Sequence, residues 1–232
     1  MTTSSNTANK FKCKYCEKEF VRENSLAVHV CEQKKRHQEK GERGVQLGYQ
    51  AWLAFYEYSQ GSATKKNWDQ FVKSPYYKAF VKFGRYCVDI RAVHPKRFMD
   101  WLLKNNKKID YWAKDSNYDE YLNYILKVEH PTDALKRAIE YSIEWGESKD
   151  ADPKDVIRYG NNYATCQLIT KGTLSPWVIY NSQSGQKFLS ELTQDQQQIV
   201  WPYIDPEQWE RVFKKYPADL EFVKEALKQA GW

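Results

Sequence analysis

No run of eighteen or more apolar residues occurs in this chain, which excludes a segment apolar enough to span a bilayer as a helix. The opening residues MTTSSNTANK also lack an apolar stretch, so a secretion signal is not expected and the location reads as intracellular. Histidine is scarce. Only His29, His37, His94 and His130 are present, which leaves little imidazole for acid and base chemistry. His94 and His130 each precede a proline and read as helix-boundary residues. There is no glycine-rich phosphate loop, nucleophile elbow or metal-binding helix motif. Asp115, Asp119 and Glu120 are the acids a magnesium-dependent nuclease would draw on, but the sequence names no partner cluster for them. A non-enzymatic protein is expected.

Strand-like alternation is nearly absent as well, and what stands in its place is proline-punctuated helical periodicity. Pro75, Pro95, Pro131, Pro153, Pro176, Pro206 and Pro217 each sit where a helix could begin. Proline suits the first helical position because its missing N–H would be unpaired there anyway, and a preceding Ser or Asp can cap the exposed amides. Only Pro202 lacks that frame. Apolar residues recur at helical spacing, as in Phe80, Phe83 and Cys87, or Tyr121, Leu122, Ile125 and Leu126. The fold class expected is all-α: about eight or nine helices of about eight to eighteen residues after position 44, in an irregular orthogonal bundle. Residues 173–180 are the likeliest extended segment. Aromatic residues make up 16% of the chain, with nine Trp and seventeen Tyr, so amphipathic rings can build a core despite the low mean hydropathy of -0.82.

The 232 residues suffice for one core plus an appended module. Residues 1–10 are small and polar and are expected to be a disordered tail. A small metal-binding unit is expected at 11–31, a charged linker or helical extension at 32–44, and a helical domain at 45–232. Charge divides that domain. Residues 62–114 carry thirteen Lys or Arg against four acids, and residues 115–232 carry thirteen against nineteen. A basic front and an acidic rear suit a protein that presents one face to a polyanion and another to water or a protein partner.

Three of the five cysteines, Cys13, Cys16 and Cys31, fall within nineteen residues, which favours metal ligation over a disulfide framework. Cys87 and Cys166 stand alone and read as buried thiols. In FKCKYCEKEFVRENSLAVHVC, two residues separate Cys13 from Cys16 and twelve separate Cys16 from His29. Thiolates on a tight turn can grip one side of a tetrahedral zinc while a helix brings imidazole to the other. The segment resembles the ββα-type zinc finger family in placing Phe11 two before the first cysteine, Phe20 four after the second and Leu26 three before the histidine. In that family these three side chains form the miniature core. The resemblance implies one structural zinc ion.

The fourth ligand departs from that family, because no histidine follows His29 by three to five residues. Cys31 lies two residues on and His37 eight on. On an unbroken helix eight residues span about 12 Å, beyond the reach of one zinc, so His37 needs a sharp break. Cys31 would point about 200° away on an ideal helix and needs only a fraying just after His29. Cys31 is favoured over His37, and completion by water or a partner is the remaining alternative.

Under the family's docking scheme the residues at base-reading positions are Arg22, Ser25 and Val28, with Asn24 beside them. Arg22 has the chemistry to bond guanine's major-groove edge. One finger covers only about three base pairs, so sequence-specific recognition by this module alone is not expected, and a protein-docking knob is the competing role. Lys34, Lys35 and Arg36 extend the basic character beyond the finger and can lie along phosphates.

Residues 65 to 114 interleave bases with aromatics, from Lys65, Lys66 and Trp68 to Lys104, Lys107 and Lys108. Lys78, Lys82 and Arg85 are three and four apart, on one face of the helix expected after Pro75. Such a face suits phosphates, with Trp or Tyr available to stack on unpaired bases. The segments GYQAWLAFYEYSQG, NWDQF, SPYYKAFVKFGRY and QLITKGTLSPWVIYNSQSGQKFL, in that order, are also similar to the helicase-loading protein of T-even-like phages. That resemblance, over residues 49–190, implies an all-helical, basic, two-lobed protein that binds forked and single-stranded DNA. The function expected is a zinc-finger nucleic-acid-binding accessory protein of DNA or RNA metabolism, DNA favoured. A protein-interaction adaptor is the alternative, and a helicase-loader-like replication protein the second.

Overall fold

The computed structural model describes residues 11–61, 66–157 and 161–232. The expected tail at 1–10 and Lys65 lie outside them. The fold is mostly helical, with one two-stranded sheet among the described residues. Two compact units divide the chain at Val88/Asp89. The stretch 32–44, expected as a charged linker or helical extension, is helical over Glu32–Gln38 and belongs to the first unit.

Unit 1 begins with β1 (Phe11–Lys12) and β2 (Glu19–Phe20), antiparallel with Phe11 opposite Phe20 and Lys12 opposite Glu19. Then come α1 (Glu23–Ala27), α2 (Glu32–Gln38), a 3₁₀ turn (Glu39–Gly41), α3 (Arg43–Gln60), α4 (Trp68–Lys73) and α5 (Tyr77–Asp89). The charged run at 32–44 is helical because Cys31 caps it and Glu32 complements its N-terminus. Arg36 anchors it to α4, donating to the carbonyl oxygen of Val72 at 2.6 Å.

The helices α3 and α5 meet backbone to backbone. A methyl group on Gly84 would lie 1.9 Å from the carbonyl oxygen of Gly44 and 2.5 Å from the amide nitrogen of Gly48. Only glycine permits that approach. Beside the crossing, Arg85 forms a two-pronged pair with Glu42, both contacts at 2.7 Å. Trp52, Phe71, Tyr77 and Phe80 fill the space between α3, α4 and α5.

Unit 2 contains α6 (Pro95–Lys104), α7 (Asp115–Val128), α8 (Pro131–Lys149), α9 (Asn162–Thr170), α10 (Pro176–Asn181), α11 (Gln183–Ser190), α12 (Gln194–Ile204), α13 (Pro206–Lys215) and α14 (Pro217–Gln229). Its 3₁₀ turns are Ile109–Tyr111 and Pro153–Val156. Phe98, Leu102, Tyr121, Leu122 and Ile125 form the core between α6 and α7, and Trp177, Trp209 and Phe213 form an aromatic cluster between α10 and α13. The helix α10 packs on α8, α11 and α14.

Proline reads as expected at six of the seven starts: Pro95, Pro131, Pro153, Pro176, Pro206 and Pro217 occupy the first turn of their helices. Pro75 instead lies in the turn just before α5. Pro202, the exception in sequence, lies inside α12. Residues 173–180 are not extended. Ser175 caps α10 by accepting from the amide of Trp177, and this short helix ends at Ser182, which caps α11 in turn. The described helices are therefore more numerous and often shorter than periodicity suggested, because serine and asparagine caps restart the chain every few turns. Among the described residues no helix is long and apolar enough to cross a membrane.

Candidate metal centre and its basic surroundings

The hairpin's turn presents the first two ligands. The amide of Glu17 donates to the carbonyl oxygen of Cys13 at 2.8 Å and the amide of Cys13 to Lys18 at 2.9 Å, with Glu17 in the left-handed region at φ 63°. This knuckle holds Cys13 and Cys16 on one side. The third and fourth ligands come from the connection after α1. That helix is only five residues long, with no side-chain cap, and ends at Ala27. Val28 and Val30 flank His29, and β-branched residues are poor helix formers, so the chain leaves the helix before His29 and not after it.

Cys31 is extended, at φ −111° and ψ 113°, and its sulfur accepts from the amide of Lys34 at 3.4 Å as the cap of α2. The break thus returns its side chain to the cluster. The sulfur, nitrogen, sulfur and sulfur atoms of Cys13, Cys16, His29 and Cys31 all lie within 4.8 Å of one another, a group that could hold a metal ion. Sγ of Cys13 is 3.9 Å from Sγ of Cys31, and Sγ of Cys16 is 3.3 Å from Nε2 of His29.

Local electrostatics prepare this site for a cation. The backbone N–H groups of Cys16 and Tyr15 hold the Cys13 thiol down to about 7. For Cys16 the amide of Lys18 works in the same direction, but burial and the neighbouring thiols of Cys31 and Cys13 outweigh it and raise the pKa. A cation between these sulfurs would relieve the opposition that Cys16 meets. Cys87 and Cys166 are buried and are not part of this group, and burial pushes the Cys87 thiol up to about 12.

His37 takes no part. Its Nδ1 accepts from the indole N–H of Trp68 at 3.2 Å, and its ring lies 5.3 Å from that of Tyr15 and 3.8 Å from the Asp69 carboxylate. It joins the segment that carries the Cys/His group to α4. Lys73 and Glu17 add an ion pair at 3.5 Å between the same parts. Phe11, Phe20 and Leu26 are each half-buried, and Phe20 packs 4.9 Å from the His29 ring.

The basic residues separate into committed and uncommitted groups. Arg85 is engaged by Glu42 and, at 3.7 Å, by Glu39. Arg36 is engaged by Glu32, by the Val72 carbonyl oxygen and by the Tyr77 ring, with its guanidinium carbon 4.4 Å from the ring centroid. Both expectations for phosphate contact thus fall on side chains already satisfied within the fold. Arg22, Asn24, Lys34, Lys35, Lys78 and Lys82 are exposed, and no carboxylate pairs with these cations among the described residues. Trp68 and Tyr77 are core, while Tyr76 is exposed.

Glu120 is paired with Lys107 at 2.7 Å, and Asp119 is raised by burial and by the nearby Asp115. Asp115, Asp119 and Glu120 do not form a metal-holding group among the described residues. His94 and His130 are the N-caps of α6 and α8. Sequence reasoning missed the second task of Cys31. A cysteine followed by EQKKRHQ, a good helix-forming run, is the signal that it caps a new helix. Compared with known proteins, the chain matches no family model, no curated protein and no solved structure.

Proposed function

We propose that Cys13, Cys16, His29 and Cys31 hold one structural zinc ion in a small ββα-type finger, and that the chain is an intracellular, non-enzymatic nucleic-acid-binding accessory protein, DNA favoured over RNA. Fit supports the metal. Tetrahedral zinc with bonds of about 2.3 Å to sulfur and about 2.05 Å to nitrogen puts two sulfurs about 3.8 Å apart, and sulfur and nitrogen about 3.5 Å apart. The separations of 3.9 and 3.3 Å are close to both. Four protein ligands leave no open position, which suits a structural ion. Bound zinc would supply a crosslink between the hairpin and the segment entering α2.

The observation that carries the nucleic-acid reading is the set of uncommitted cations in unit 1. Lys34, Lys35, Lys78 and Lys82 are exposed without an ion pair among the described residues, so their charge is available to phosphates and their affinity is salt-sensitive. Arg22 and Asn24 add donors on the finger. The test is binding of the full, zinc-loaded chain to labelled single-stranded, forked and duplex DNA, and to RNA, over a range of salt. Binding should weaken steeply with salt and on Lys78→Glu with Lys82→Glu. No binding even at low salt would remove the reading.

The adaptor alternative is favoured by one observation: Val21, Val28 and Val30 are 74%, 79% and 95% exposed. Val28 stands at a base-reading position with nothing to offer a base edge except its methyl groups. An adaptor predicts partner capture lost with Val28→Asp and no retention on nucleic acid. A helicase-loader-like role draws on the two helical units and predicts a preference for forks over duplex.

A further inference from the structure

In unit 2 an open groove of ≈ 650 Å³ runs between α6 and α7. Arg97, Trp101 and Lys104 are four and three residues apart on α6, which places them in one stripe over about 10 Å of helix. Tyr124 and Val128, four apart on α7, form the facing wall, and the buried Ile125 lies between. The groove therefore alternates cation, ring and cation along one side, with a ring and an apolar side chain opposite.

Trp101 is half-buried against Phe98 and Tyr121, and Tyr124, Arg97 and Lys104 are exposed. Tyr124 is 51% exposed, with no ring neighbour and no hydrogen bond among the described residues. It is one of eight exposed aromatic rings among the described residues and the one that lines this groove. Lys104 has no ion pair among the described residues, and Arg97 only reaches Asp133 at 3.9 Å. Lys107 lies 5.4 Å from the Trp101 ring centroid but is paired with Glu120 at 2.7 Å, so it adds little net charge to the groove. Asp100 is the one acid in the groove wall, against two cations.

An unpaired nucleotide needs a cation for its phosphate and a π-face or apolar surface for its base, and stacking tolerates any base. A duplex hides its base faces within the stack and offers this groove only phosphates. An acidic peptide would use the cations and leave the Tyr124 ring without a task. We propose that the α6–α7 groove seats one or two nucleotides of a single-stranded nucleic acid, with Tyr124 and Trp101 against the bases and Arg97 and Lys104 on the phosphates. The proposal rests on the nucleic-acid reading above and places a second contact region in unit 2.

The test is fluorescence anisotropy of labelled oligothymidylate, and of a duplex of equal length, with the full zinc-loaded chain. Tyr124→Ala should weaken single-strand binding roughly tenfold, within the range that lost stacking spans, and leave duplex binding unchanged. Tyr124→Phe, which keeps the ring, should bind normally. Lys104→Ala should flatten the salt dependence by about 0.7 in log–log slope, one phosphate on a single strand, whereas Tyr124→Ala should not change the slope. Asp100→Asn should tighten binding, and Lys214→Ala on α13, 75% exposed, should leave it unaltered.

If the wild type binds single strands, loses them with Lys78→Glu and Lys82→Glu, and is indifferent to Tyr124→Ala and Lys104→Ala, the groove assignment falls and the nucleic-acid reading stands. Equal losses on duplex and single strand in Tyr124→Ala would also overturn the single-strand assignment. Failure of the wild type to bind any nucleic acid removes both.

Discussion

Between Phe11 and Arg43 only Cys13 and Cys31 are buried, and neither α1 nor α2 buries a residue. In unit 2, by contrast, Phe98, Leu102, Tyr121, Leu122, Ile125 and Ile169 are all nearly inaccessible. The first segment has its Cys and His cluster where the second has apolar side chains. About 25 cal/mol per Å² of buried apolar surface can hold α6 and α7 together, but it has almost nothing to act on in the hairpin and α1. There the proposed crosslink through four ligand atoms would take over the role of the core. Charge differs as well: unit 2 encloses an ion pair, Glu129 with Arg137, both contacts at 2.8 Å, whereas the Arg85–Glu42 pair of unit 1 is exposed.

Metal removal should separate the two regions most widely. Structural zinc sites contribute about 10–16 kcal/mol of apparent binding free energy near neutral pH, which in small modules is folding free energy. Chelation, or Cys13→Ser, should therefore release amide protection from residues 11–38 in hydrogen exchange. The amides of α7 and α8 should be unaffected. Uniform loss across both units would erase the distinction drawn here.

The next largest effect belongs to unit 2. Glu129 is buried, with its carboxylate also 3.5 Å from Nε2 of His94 and from the Ser175 hydroxyl at 3.3 Å, while Arg137 donates in addition to the Gly172 carbonyl oxygen at 2.7 Å. Glu129→Ala should destabilise unit 2 by about 3–5 kcal/mol, because an unpaired guanidinium is left behind. Urea unfolding followed by tryptophan fluorescence measures it. Burial alone would raise the Glu129 pKa, but the nearby His94 imidazole and the hydrogen-bonded Arg137 guanidinium prevail and lower it. Its contribution is therefore complete above the unfolded glutamate value, about 4.3, and is lost as pH falls from there through the lower folded value. Glu129→Gln should flatten that acid limb, and an unchanged limb would show that other carboxylates govern it.

Gly84→Ala sharpens the comparison from the other side, since it strains the α3–α5 crossing within unit 1 without touching a ligand. A cost of about 1–3 kcal/mol, the range of overpacking, is expected, with zinc stoichiometry unchanged. Smallest is Ser182→Ala, which removes the cap that restarts the chain at α11 and should cost about 1 kcal/mol in thermal melts.

How much of this was legible beforehand varies with the range of the cause. Cys13, Cys16 and His29 were readable because turn and spacing act locally, and proline marked six first turns for the same reason. The ending of α1 before His29 follows from Val28 and Val30, a weak propensity that spacing alone does not reveal. The engagement of Arg85 and Arg36 was not readable, since Glu42, Val72 and Tyr77 meet them only through tertiary packing. Residues 173–180 have a strand-like composition in Val178, Ile179 and Tyr180, but the Ser175 cap starts a helix there. The groove between α6 and α7 depends on residues twenty and more apart in sequence, and one helix's periodicity carries no sign of the wall that faces it.

Metal content, measured on the purified chain and on its Cys31→Ser and His37→Ala variants, tests the central claim most directly. The account predicts one zinc per wild-type chain, a tetrahedral thiolate spectrum on cobalt substitution, loss of tight binding with Cys31→Ser, and full zinc content with His37→Ala. A wild-type chain without metal affinity, or zinc kept by Cys31→Ser and lost by His37→Ala, would contradict it.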